Sequence, residues 1–496
     1  MRSYWAKRRH RLWEKWEAYR ASAYFDADWY LQTYPDVAVA GIDAWRHFDR
    51  HGRYEGRVPC AAHAAIWLER DPEQPTLGQL STLLQQGNRK TINYAAWTLG
   101  RWFAVDHEWS RVHDNMQYYR FGSDPHAPLR SDLMPAMLWV DALRLTGRTQ
   151  QAQQFIENLP AAYTTTETAL AQVNLLRGVV ESQAWLAPLN DIYRTHGLLE
   201  LTLEDHAAVS LDQLTTVQPP EHLGECSTDP LVSIIIPAYN AGRTLATAIG
   251  SLQRQTWQHV EIIVVDDASS DDTVAIVTAL STADPRIRLI TQDQNRGAYA
   301  TRNVGLRHAR GDFITVHDSD DWSHPQKIHK QLETLMAHPK QPACLSHWVR
   351  VSTELEFGSW QTHVGWAGWC HRNTSSLMFR REVFNTLGYW DRVSCNADTE
   401  YCERIRRVFG AQAVQEVLPG VPLALGRTHP GSLTRQSATS IFSIFGGFRQ
   451  DYEQAYRAWH GQSHDMRCLY LPEHPQQRPF PAPEAMVLKP KVMGHS

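Results

Sequence analysis

The sequence has 496 residues, of which 43% are hydrophobic and 21% are charged, and its formal net charge is −4. This length favours about two to four domains, and no apolar run approaches the roughly 20 residues that span a bilayer. The composition is that of a soluble globular protein without a basic excess, which gives no support to nucleic-acid binding. The seven cysteines form no C-x-x-C pair, so neither a zinc site nor a disulfide framework is expected.

The first twenty residues, "MRSYWAKRRHRLWEKWEAYR", carry seven Lys or Arg against two Glu, with aromatic residues at roughly helical spacing. Such a basic amphipathic helix either lies on an anionic membrane surface or packs its aromatic side chains on a neighbouring domain, and both interpretations stay open. The stretch lacks the apolar segment and cleavage site of a signal peptide. We therefore expect a cytoplasmic protein, with peripheral contact to the inner face of the membrane as an option.

The first half of the chain is predicted to be helical. Residues 1–60 hold the basic helix and a small helical module with tight turns, and residues 61–215 are helical almost throughout. In this region 95–116 and 142–159 each indicate a helix broken at a glycine, which resembles a tetratricopeptide-like solenoid with a longer repeat. We expect a binding or positioning role here. Residues 216–230, rich in Pro, Gly, Ser and Thr, are predicted to be a linker.

After the linker, short β-branched runs alternate with helical patterns. The runs are "LVSIII", "VEIIVV", "IRLIT" and "DFITV". Strands that alternate with helices indicate a mostly parallel sheet covered on both faces. We therefore expect an α/β domain over residues 231–440, followed by a Pro-rich C-terminal extension, 441–496, without evident chemistry.

Polar clusters follow three of these runs at the point where each strand is expected to end. They are "PAYN" (237–240), "DDAS" (266–269) and "DSDD" (318–321). Ligands of parallel α/β sheets bind at the carboxyl ends of the strands, so we expect the clusters to form one site. Crowded carboxylates need a cation, and Mg²⁺ or Mn²⁺ takes oxygen ligands and commonly accompanies a phosphate-bearing substrate. Each cluster alone also fits a turn or a helix cap.

The stretch from about 230 to 435 resembles the inverting nucleotide-sugar glycosyltransferases of family 2. The motifs "VSIIIPAYN", "VEIIVVDDASSDDT", "NRGAYATRNVGLRHARGDFITVHDSDDW" and "RREVFNTLGYWDR" occur in the order of that family. The resemblance implies a GT-A fold, which is Rossmann-like, preceded here by an all-α region. It also implies transfer from a nucleotide-diphosphate sugar, with a UDP-sugar preferred, to a hydroxyl of a glycan or lipid-linked acceptor in bacterial surface polysaccharide synthesis. Residues 20–60 resemble a module often attached to bacterial sugar transferases.

The resemblance assigns roles to residues that match the family's motifs. The implied nucleotide-binding residues are Pro237, Ala238, Tyr239, Asp267, Arg302 and Asp318. Asp267 would accept a hydrogen bond from the base, and Arg302 would meet the diphosphate or support the base pocket. Asp320 is implied as the main ligand of Mn²⁺ or Mg²⁺, with Asp318 and His429 as further ligands. The alternatives are a helix-surface role for Arg302 and a structural or solvated loop position for His429.

Inverting transfer also needs a base that takes the proton of the attacking hydroxyl. In the helix predicted within "CNADTEYCERIRRVFG" (395–410), residue spacing places Asp398 on the same face as Tyr401, and Asp398 matches the family's base. Glu400 lies elsewhere around the helix and is the poorer candidate. Ala397 replaces a Glu that the family usually carries. A first-turn acid favoured by the helix dipole is the alternative for Asp398.

Two other classes of protein stay open. A nucleotidyltransferase-like enzyme shares the parallel sheet and the acidic metal site, but it would be expected to show a Gly-rich basic loop after the first strand. Here that loop supplies only Gly242 and Arg243. A catalytically silent glycosyltransferase-like binding protein is favoured by Ala397 alone. Trp366, Trp369 and His371 are candidates for acceptor contact or for the core.

Overall fold

The computed structural model describes residues 25–52, 55, 57–61, 77–121, 133–177, 179–180, 183–205, 209–218, 222–223, 228–360, 368–428, 448–462 and 466–487. The chain divides into two compact units, one of residues 1–179 with 360–368 and one of residues 180–359 with 369–496. No helix in the described ranges is long and apolar enough to cross a membrane. The predicted basic helix, His429 and Trp366 lie outside the described residues.

The first unit is helical, as predicted. A small core of Phe25, Tyr30, Val37, Ala44 and Phe48 is enclosed by short helices. These are α1 (Ala27–Thr33), α2 (Pro35–Val39), α3 (Ala44–His47) and a π-helical turn (Phe48–Gly52). The longer helices that follow are α4 (Leu77–Gln86), α5 (Arg89–Val105), α6 (Trp109–Met116), α7 (Leu133–Leu145), α8 (Thr149–Glu157) and α9 (Thr166–Leu176).

Two helical hairpins occur in this unit, but one breaks at a different residue from the one predicted. Helices α7 and α8 separate at Gly147, which has a left-handed φ of 79°. Helix α5 instead continues through Gly100, where a Cβ would lie 2.8 Å from Met116 Cγ, and the break falls at His107, with φ of 58°. Gly100 is therefore a packing glycine. The N–H of Glu108 donates to the carbonyl of Phe103 at 3.0 Å and so satisfies the end of α5. The break after α5 therefore needs no glycine.

The second unit contains the α/β domain. It begins with α10 (Ala187–Thr195) and an antiparallel pair, β1 (Leu201–Leu203) and β2 (Leu214–Thr216), in a stretch that was predicted to be helical. The main elements follow in the order β3 (Val232–Ala238), α11 (Leu245–Gln253), β4 (Val260–Asp266), α12 (Thr273–Ala283), β5 (Ile287–Thr291), α13 (Ala298–His308), β6 (Phe313–Val316), β7 (Trp322–Ser323), α14 (Lys327–Ala337), β8 (Ala343–Val351), β9 (Cys370–Arg372), β10 (Met378–Arg380), α15 (Arg381–Leu387), α16 (Ala397–Phe409), β11 (Val414–Arg427) and α17 (Phe448–Gln462).

Nine strands of the described chain form one sheet in the order β5-β4-β3-β6-β10-β8-β11-β7, with β9 paired to β8. Strands β3 to β6 pair in parallel, whereas β10 runs antiparallel to both β6 and β8. The β-branched residues of β3 and β4 are buried, as expected for strands covered on both faces. The predicted α/β domain preceded by a helical region is confirmed. Because β3, β4 and β6 run in parallel, their carboxyl ends lie at one edge of the sheet.

The C-terminal extension is part of the core of this unit. We call residues 466–487 the C-terminal strap. Its side chains Leu469, Leu471, Phe480 and Met486 are buried in the same apolar cluster as residues of β6, α13 and α16. The strap also pairs with the main domain through two β-bridges, Gly388↔Leu471 and Val393↔Val487. The extension therefore stabilises the segment that leads into α16.

Two buried histidines of this unit are held in the neutral form. In each ring, one nitrogen donates a hydrogen bond to a backbone carbonyl, and the other nitrogen accepts a hydrogen bond. His317 contacts the carbonyl of Asp318 at 2.8 Å and the hydroxyl of Ser323 at 2.9 Å. His324 contacts the carbonyl of Leu199 at 2.9 Å and the N–H of Gln326 at 3.2 Å. Burial accordingly lowers the pKa of His317 to about 3 and that of His324 to about 4.

We expect acid to destabilise this unit. The pKa of His324 is lower in the folded chain than its usual 6.5, so the unfolded chain binds more protons between pH 6.5 and about 4 and the free energy of unfolding falls across that window. At about 1.4 kcal/mol per pKa unit, His324 contributes about 3 kcal/mol of this loss. Urea unfolding followed by tryptophan fluorescence from pH 7.5 to 4 should show the decrease. His324→Gln should make it shallower, and equal slopes in both proteins would contradict the assignment.

Candidate active site

The loops after β3 and β4 join into one surface, as the polar clusters predicted. Asn240 has a left-handed φ of 49°. Its backbone N–H donates to Ser269 Oγ at 2.9 Å, and its side-chain Oδ1 accepts from the N–H of Ser270 at 2.8 Å. Ala238 is buried and accepts the N–H of Asp267 at 2.8 Å, while 51% of Tyr239 is exposed. An aromatic ring is thus presented at the end of β3, next to the half-buried Pro237.

Asp267 is buried and holds the loop that precedes α13. One carboxylate oxygen accepts from the N–H of Arg296 at 2.7 Å and from Gln292 Nε2 at 2.9 Å, and the other accepts from the N–H of Gly297 at 2.8 Å. Burial raises the pKa of this carboxyl, and the same hydrogen bonds oppose the increase. Asp267 therefore anchors the loop of residues 295–297, which precedes α13. Its contact with a nucleotide base stays a prediction.

Asp318 forms a buried ion pair with Arg302. Arg302 Nη2 donates to Asp318 Oδ1 at 2.6 Å, and only 5% of Arg302 is exposed. The interpretation of Arg302 as a helix-surface residue is therefore wrong. Although partial burial raises the pKa of Asp318, the charge of Arg302 and a hydrogen bond from Ser375 keep it below its usual value. Asp318 is a carboxylate at neutral pH.

The other two acids of the loop differ in their surroundings. Asp321 is buried and accepts the N–H of Arg427 at 3.1 Å. Burial and the neighbouring charges of Asp320 and Asp318 raise its pKa well above the usual value. Lys327 is buried beside the loop, and although burial lowers its pKa to about 8, it still supplies a positive charge at neutral pH. Burial and a raised pKa disfavour the charged form of Asp321, so Asp318 and the half-buried Asp320 are the better candidates for binding a cation.

Asp398 lies in the first turn of α16 and is half-buried. Its Oδ2 accepts from Thr374 Oγ1 at 3.1 Å. Burial and then the nearby charge of Asp398 raise the pKa of the phenol of Tyr299 in α13. The Arg302 guanidinium lies over the Tyr299 ring, 4.9 Å from its centroid. Helix α13 therefore connects Asp398 with Asp318, although the two are far apart in the sequence.

Neighbours of Asp398 on α16 have structural roles. Glu400 is completely buried and pairs with Arg404, as expected for the poorer base candidate. Ala397 is completely buried in the apolar cluster, where a glutamate would bury a charge without a partner among apolar side chains. The alanine is therefore explained by packing, and it gives little support to a catalytically silent protein.

Sequence reasoning missed three residues of the site and placed two others too close to it. Tyr299 lies one helical turn before Arg302, so the helical spacing of "NRGAYATRN" could have indicated it. Thr374 and Ser375 lie in a short 3-10 turn after β9, and the sequence of this turn carries no periodic signal. Trp369 is buried, and both ring nitrogens of His371 are engaged, by the carbonyl of Trp369 at 3.0 Å and the indole of Trp348 at 3.2 Å. Trp369 is therefore a core residue, and the ring nitrogens of His371 are used within the protein.

Residues 233–396 match the family model "Glycosyl transferase family 2". The chain contains a glycosyltransferase family 2 domain. The matched stretch begins in β3 and ends two residues before Asp398, so it includes the loops that carry Asp267 and Asp318 and the helix that carries Arg302.

Curated relatives support the family. The chain is 44% identical over 104 residues to the succinoglycan biosynthesis protein ExoO of Rhizobium meliloti, which covers 21% of this chain and 29% of that protein. It is 42% identical over 108 residues to the UDP-Glc:alpha-D-GlcNAc-diphosphoundecaprenol beta-1,3-glucosyltransferase WfgD of Escherichia coli, with coverage of 22% and 42%. An uncharacterised glycosyltransferase of Haemophilus influenzae is 41% identical over 107 residues, with coverage of 22% and 43%. The chain thus spans less than half the length of these relatives.

Two solved structures resemble part of this chain. S. aureus TarS 1–349 in complex with UDP-GlcNAc is 18% identical, covers 42% of this chain and 61% of that chain, and has a TM-score of 0.34. The mannosyltransferase PcManGT from Pyrobaculum calidifontis, in complex with GDP-Man and Mn²⁺, is 17% identical, covers 49% and 65%, and has a TM-score of 0.33.

Proposed function

We propose that this protein transfers a sugar from a nucleotide-diphosphate sugar to an acceptor hydroxyl, with inversion at the anomeric carbon. The observation that carries the proposal is the approach of Asp398 to the Asp318 loop in a family 2 domain. The two acids share Arg302 and Tyr299 as neighbours. A carboxylate next to a cation-binding loop is the arrangement that pairs a base with a leaving diphosphate.

In this mechanism Asp398 takes the acceptor proton. Inverting transfer is an in-line displacement, so the hydroxyl attacks the anomeric carbon from the side opposite to the departing nucleoside diphosphate. The hydrogen bond from Thr374 orients the side chain of Asp398. Arg302 neutralises Asp318 on the nucleotide side and fixes its carboxylate. On the same side, Pro237, Ala238 and Tyr239 would line the base and ribose pocket.

Mn²⁺ or Mg²⁺ would be held by Asp320, with Asp318 as a second ligand. No three His, Cys, Asp or Glu side chains of the described chain gather as a metal site. Magnesium-type ions commonly use only one or two carboxylates and complete their shell with substrate phosphates and water, which fits the two acids here. The ion would neutralise the charge of the leaving diphosphate. His429 remains a proposed additional ligand.

The names of the relatives indicate the setting in which the reaction takes place. ExoO is named for succinoglycan biosynthesis and WfgD for transfer from UDP-Glc to a diphosphoundecaprenol-linked acceptor. We infer that this protein also uses a UDP-sugar and a glycan or lipid-linked acceptor in surface polysaccharide synthesis. The basic segment 1–20 would place it at an anionic membrane surface, where lipid-linked acceptors lie.

We expect Mn²⁺ to raise the melting temperature in the presence of one nucleotide, because a ligand that binds only the folded chain stabilises it by about 2.7 kcal/mol at one hundred times its Kd. The measurement is a thermal-shift panel of UDP, GDP, dTDP and CMP, each with and without Mn²⁺. Asp320→Ala should remove the Mn²⁺-dependent part of the shift. Glu333→Ala, which removes an exposed acid paired with Lys330, should retain it.

Either of two results would contradict this proposal. A full Mn²⁺-dependent shift in Asp320→Ala would show that the ion is bound elsewhere. No shift of the wild-type protein with any nucleotide would favour the catalytically silent binding protein.

A further inference from the structure

An acid that lies outside the family 2 match reaches the loop of the proposed cation site. We call the described residues of 199–216 the leading segment; it contains β1 and β2 and ends before the matched stretch begins. We propose that Asp212 of the leading segment is a positioning residue, which acts through Arg427 on the acidic loop, residues 318–321. The inference rests on the proposed function of that loop, and it gives the leading segment a part in forming the site.

Arg427, the last residue of β11, contacts the acidic loop at two points. Its backbone N–H donates to Asp321 Oδ1 at 3.1 Å, and its side-chain Nε donates to the carbonyl of Asp320 at 3.2 Å. Just before α11, Thr244 Oγ1 donates to the carbonyl of Ser319 at 3.0 Å. Two successive carbonyls of the loop are thus bound, which fixes the backbone that carries the carboxylate of Asp320.

Asp212 holds the guanidinium of Arg427. Arg427 Nη2 donates to Asp212 Oδ1, Arg427 Nη1 lies 3.4 Å from Asp212 Oδ2, and the side chain of Arg427 is only 4% exposed. Thr247 of α11 donates to Asp212 Oδ1 at 2.5 Å and so orients the carboxylate. Because the guanidinium is planar, a carboxylate on its two outer nitrogens also sets the direction in which Nε points. Asp212 therefore directs Nε to the carbonyl of Asp320.

Other residues of the leading segment contact the chain directly after the acidic loop. Trp322 Nε1 donates to the carbonyl of Leu214 at 3.2 Å, and His324 donates to the carbonyl of Leu199 at 2.9 Å. The N–H of Leu199 donates to Gln326 Oε1 at 2.7 Å. The leading segment is thus fastened next to the loop on which Asp212 acts, which is the support that a precise site needs.

Stability alone does not distinguish positioning from a structural role of the ion pair. Removal of the Asp212 charge leaves a buried guanidinium without this partner, so the melting temperature of the variant should fall in either case. Positioning predicts a second effect, because a loop that no longer holds Asp320 in place should bind a cation more weakly. The affinity of the folded protein for Mn²⁺ is therefore the quantity that decides.

The experiment is a titration of the full chain with Mn²⁺ in the presence of saturating UDP, with free Mn²⁺ measured by electron paramagnetic resonance. We expect Asp212→Asn, which keeps the shape of the side chain, to raise the Kd for Mn²⁺ about tenfold. Asp212→Glu, which keeps the charge, should restore part of the affinity, and Thr247→Val should raise the Kd by a smaller factor. The control is Asp191→Asn, an exposed acid of α10 that pairs with Arg194 at 2.5 Å, and it should bind Mn²⁺ as the wild type does.

A lower melting temperature of Asp212→Asn together with a wild-type Kd for Mn²⁺ would overturn the proposal, since the ion pair would then be structural only. If Asp212→Asn does not fold, Thr247→Val decides, and a wild-type Kd in that variant counts against positioning. Asp320→Ala separates this inference from the proposed function. Retained Mn²⁺ binding in Asp320→Ala would remove the proposed ligand itself. Loss of binding in Asp320→Ala with wild-type binding in Asp212→Asn would remove only the role of Asp212.

Discussion

Asp398→Asn is expected to lower kcat by about 10²- to 10⁴-fold, because an amide cannot take the proton of the acceptor hydroxyl. Asparagine has nearly the same shape, and its side-chain oxygen can still accept from Thr374. The Mn²⁺ and nucleotide thermal shift should therefore stay as in the wild type. The measurement is the initial rate of nucleoside diphosphate release, with saturating donor and acceptor, together with the thermal shift of the same preparation.

A matched control for this variant lies on the same helix. Glu403 is partly exposed and pairs with Arg406 at 2.7 Å, and Glu403→Gln should keep wild-type turnover. If Asp398→Asn folds normally and also keeps its turnover, another group takes the proton. Loss of turnover in both variants would instead indicate a general sensitivity of α16 to its charge.

Arg404→Met is expected to be the most destabilising substitution considered for this protein. The side chains of Arg404 and Glu400 are both fully buried, and Arg404 Nη2 donates to Glu400 Oε2 at 3.0 Å. Arg404 also donates to the carbonyls of Leu387 and Tyr389, each at 2.8 Å. Removal of the guanidinium leaves the charge of Glu400 in the core with His460 as its other partner, at 3.0 Å. Loss of one partner of a buried pair costs about 3–5 kcal/mol.

Urea unfolding of the wild type, Arg404→Met and Arg406→Met tests this expectation. Arg406 forms the partly exposed pair on the same helix, and its loss should cost about 0–1 kcal/mol. The double variant Glu400→Gln/Arg404→Met should recover part of the lost stability, since it removes the unpaired charge. Equal effects of Arg404→Met and Arg406→Met would show that the buried pair is not the source of stability that its burial indicates.

The meeting of the acids at one edge of the sheet could be predicted from the sequence because its signals are local. Each strand is a run of apolar residues, and the acids follow it directly, so topology alone brings Asp267 and Asp318 to one edge of the sheet. Arg302 was found through a motif on a helix. The ion pair of Arg302 with Asp318 was not predicted, because an ion pair between side chains of separate elements leaves no periodic pattern.

Other features depend on tertiary packing and could not be predicted. Gly100 signals a helix break in the sequence, but a helix tolerates a glycine where a neighbour such as Met116 requires close approach. In the sequence, Thr374 and Ser375 look like ordinary loop residues. Their position depends on the hydrogen bonds of the neighbouring Ser376 with β8 and α14. The apolar residues of the strap, such as Leu471 and Phe480, are too sparse among prolines to indicate a core segment.

The strap has a consequence for how the protein is made. Chains fold while they emerge from the ribosome, and their N-terminal parts fold first. The small core near the start of the chain can close early, because all its members lie between Phe25 and Phe48. The core of the α/β domain must wait for Leu469, Leu471, Phe480 and Met486, which are synthesised long after its central strands. Premature termination between α17 and the strap would therefore yield a domain with every proposed ligand and base but an open apolar core, exposed to aggregation and proteolysis.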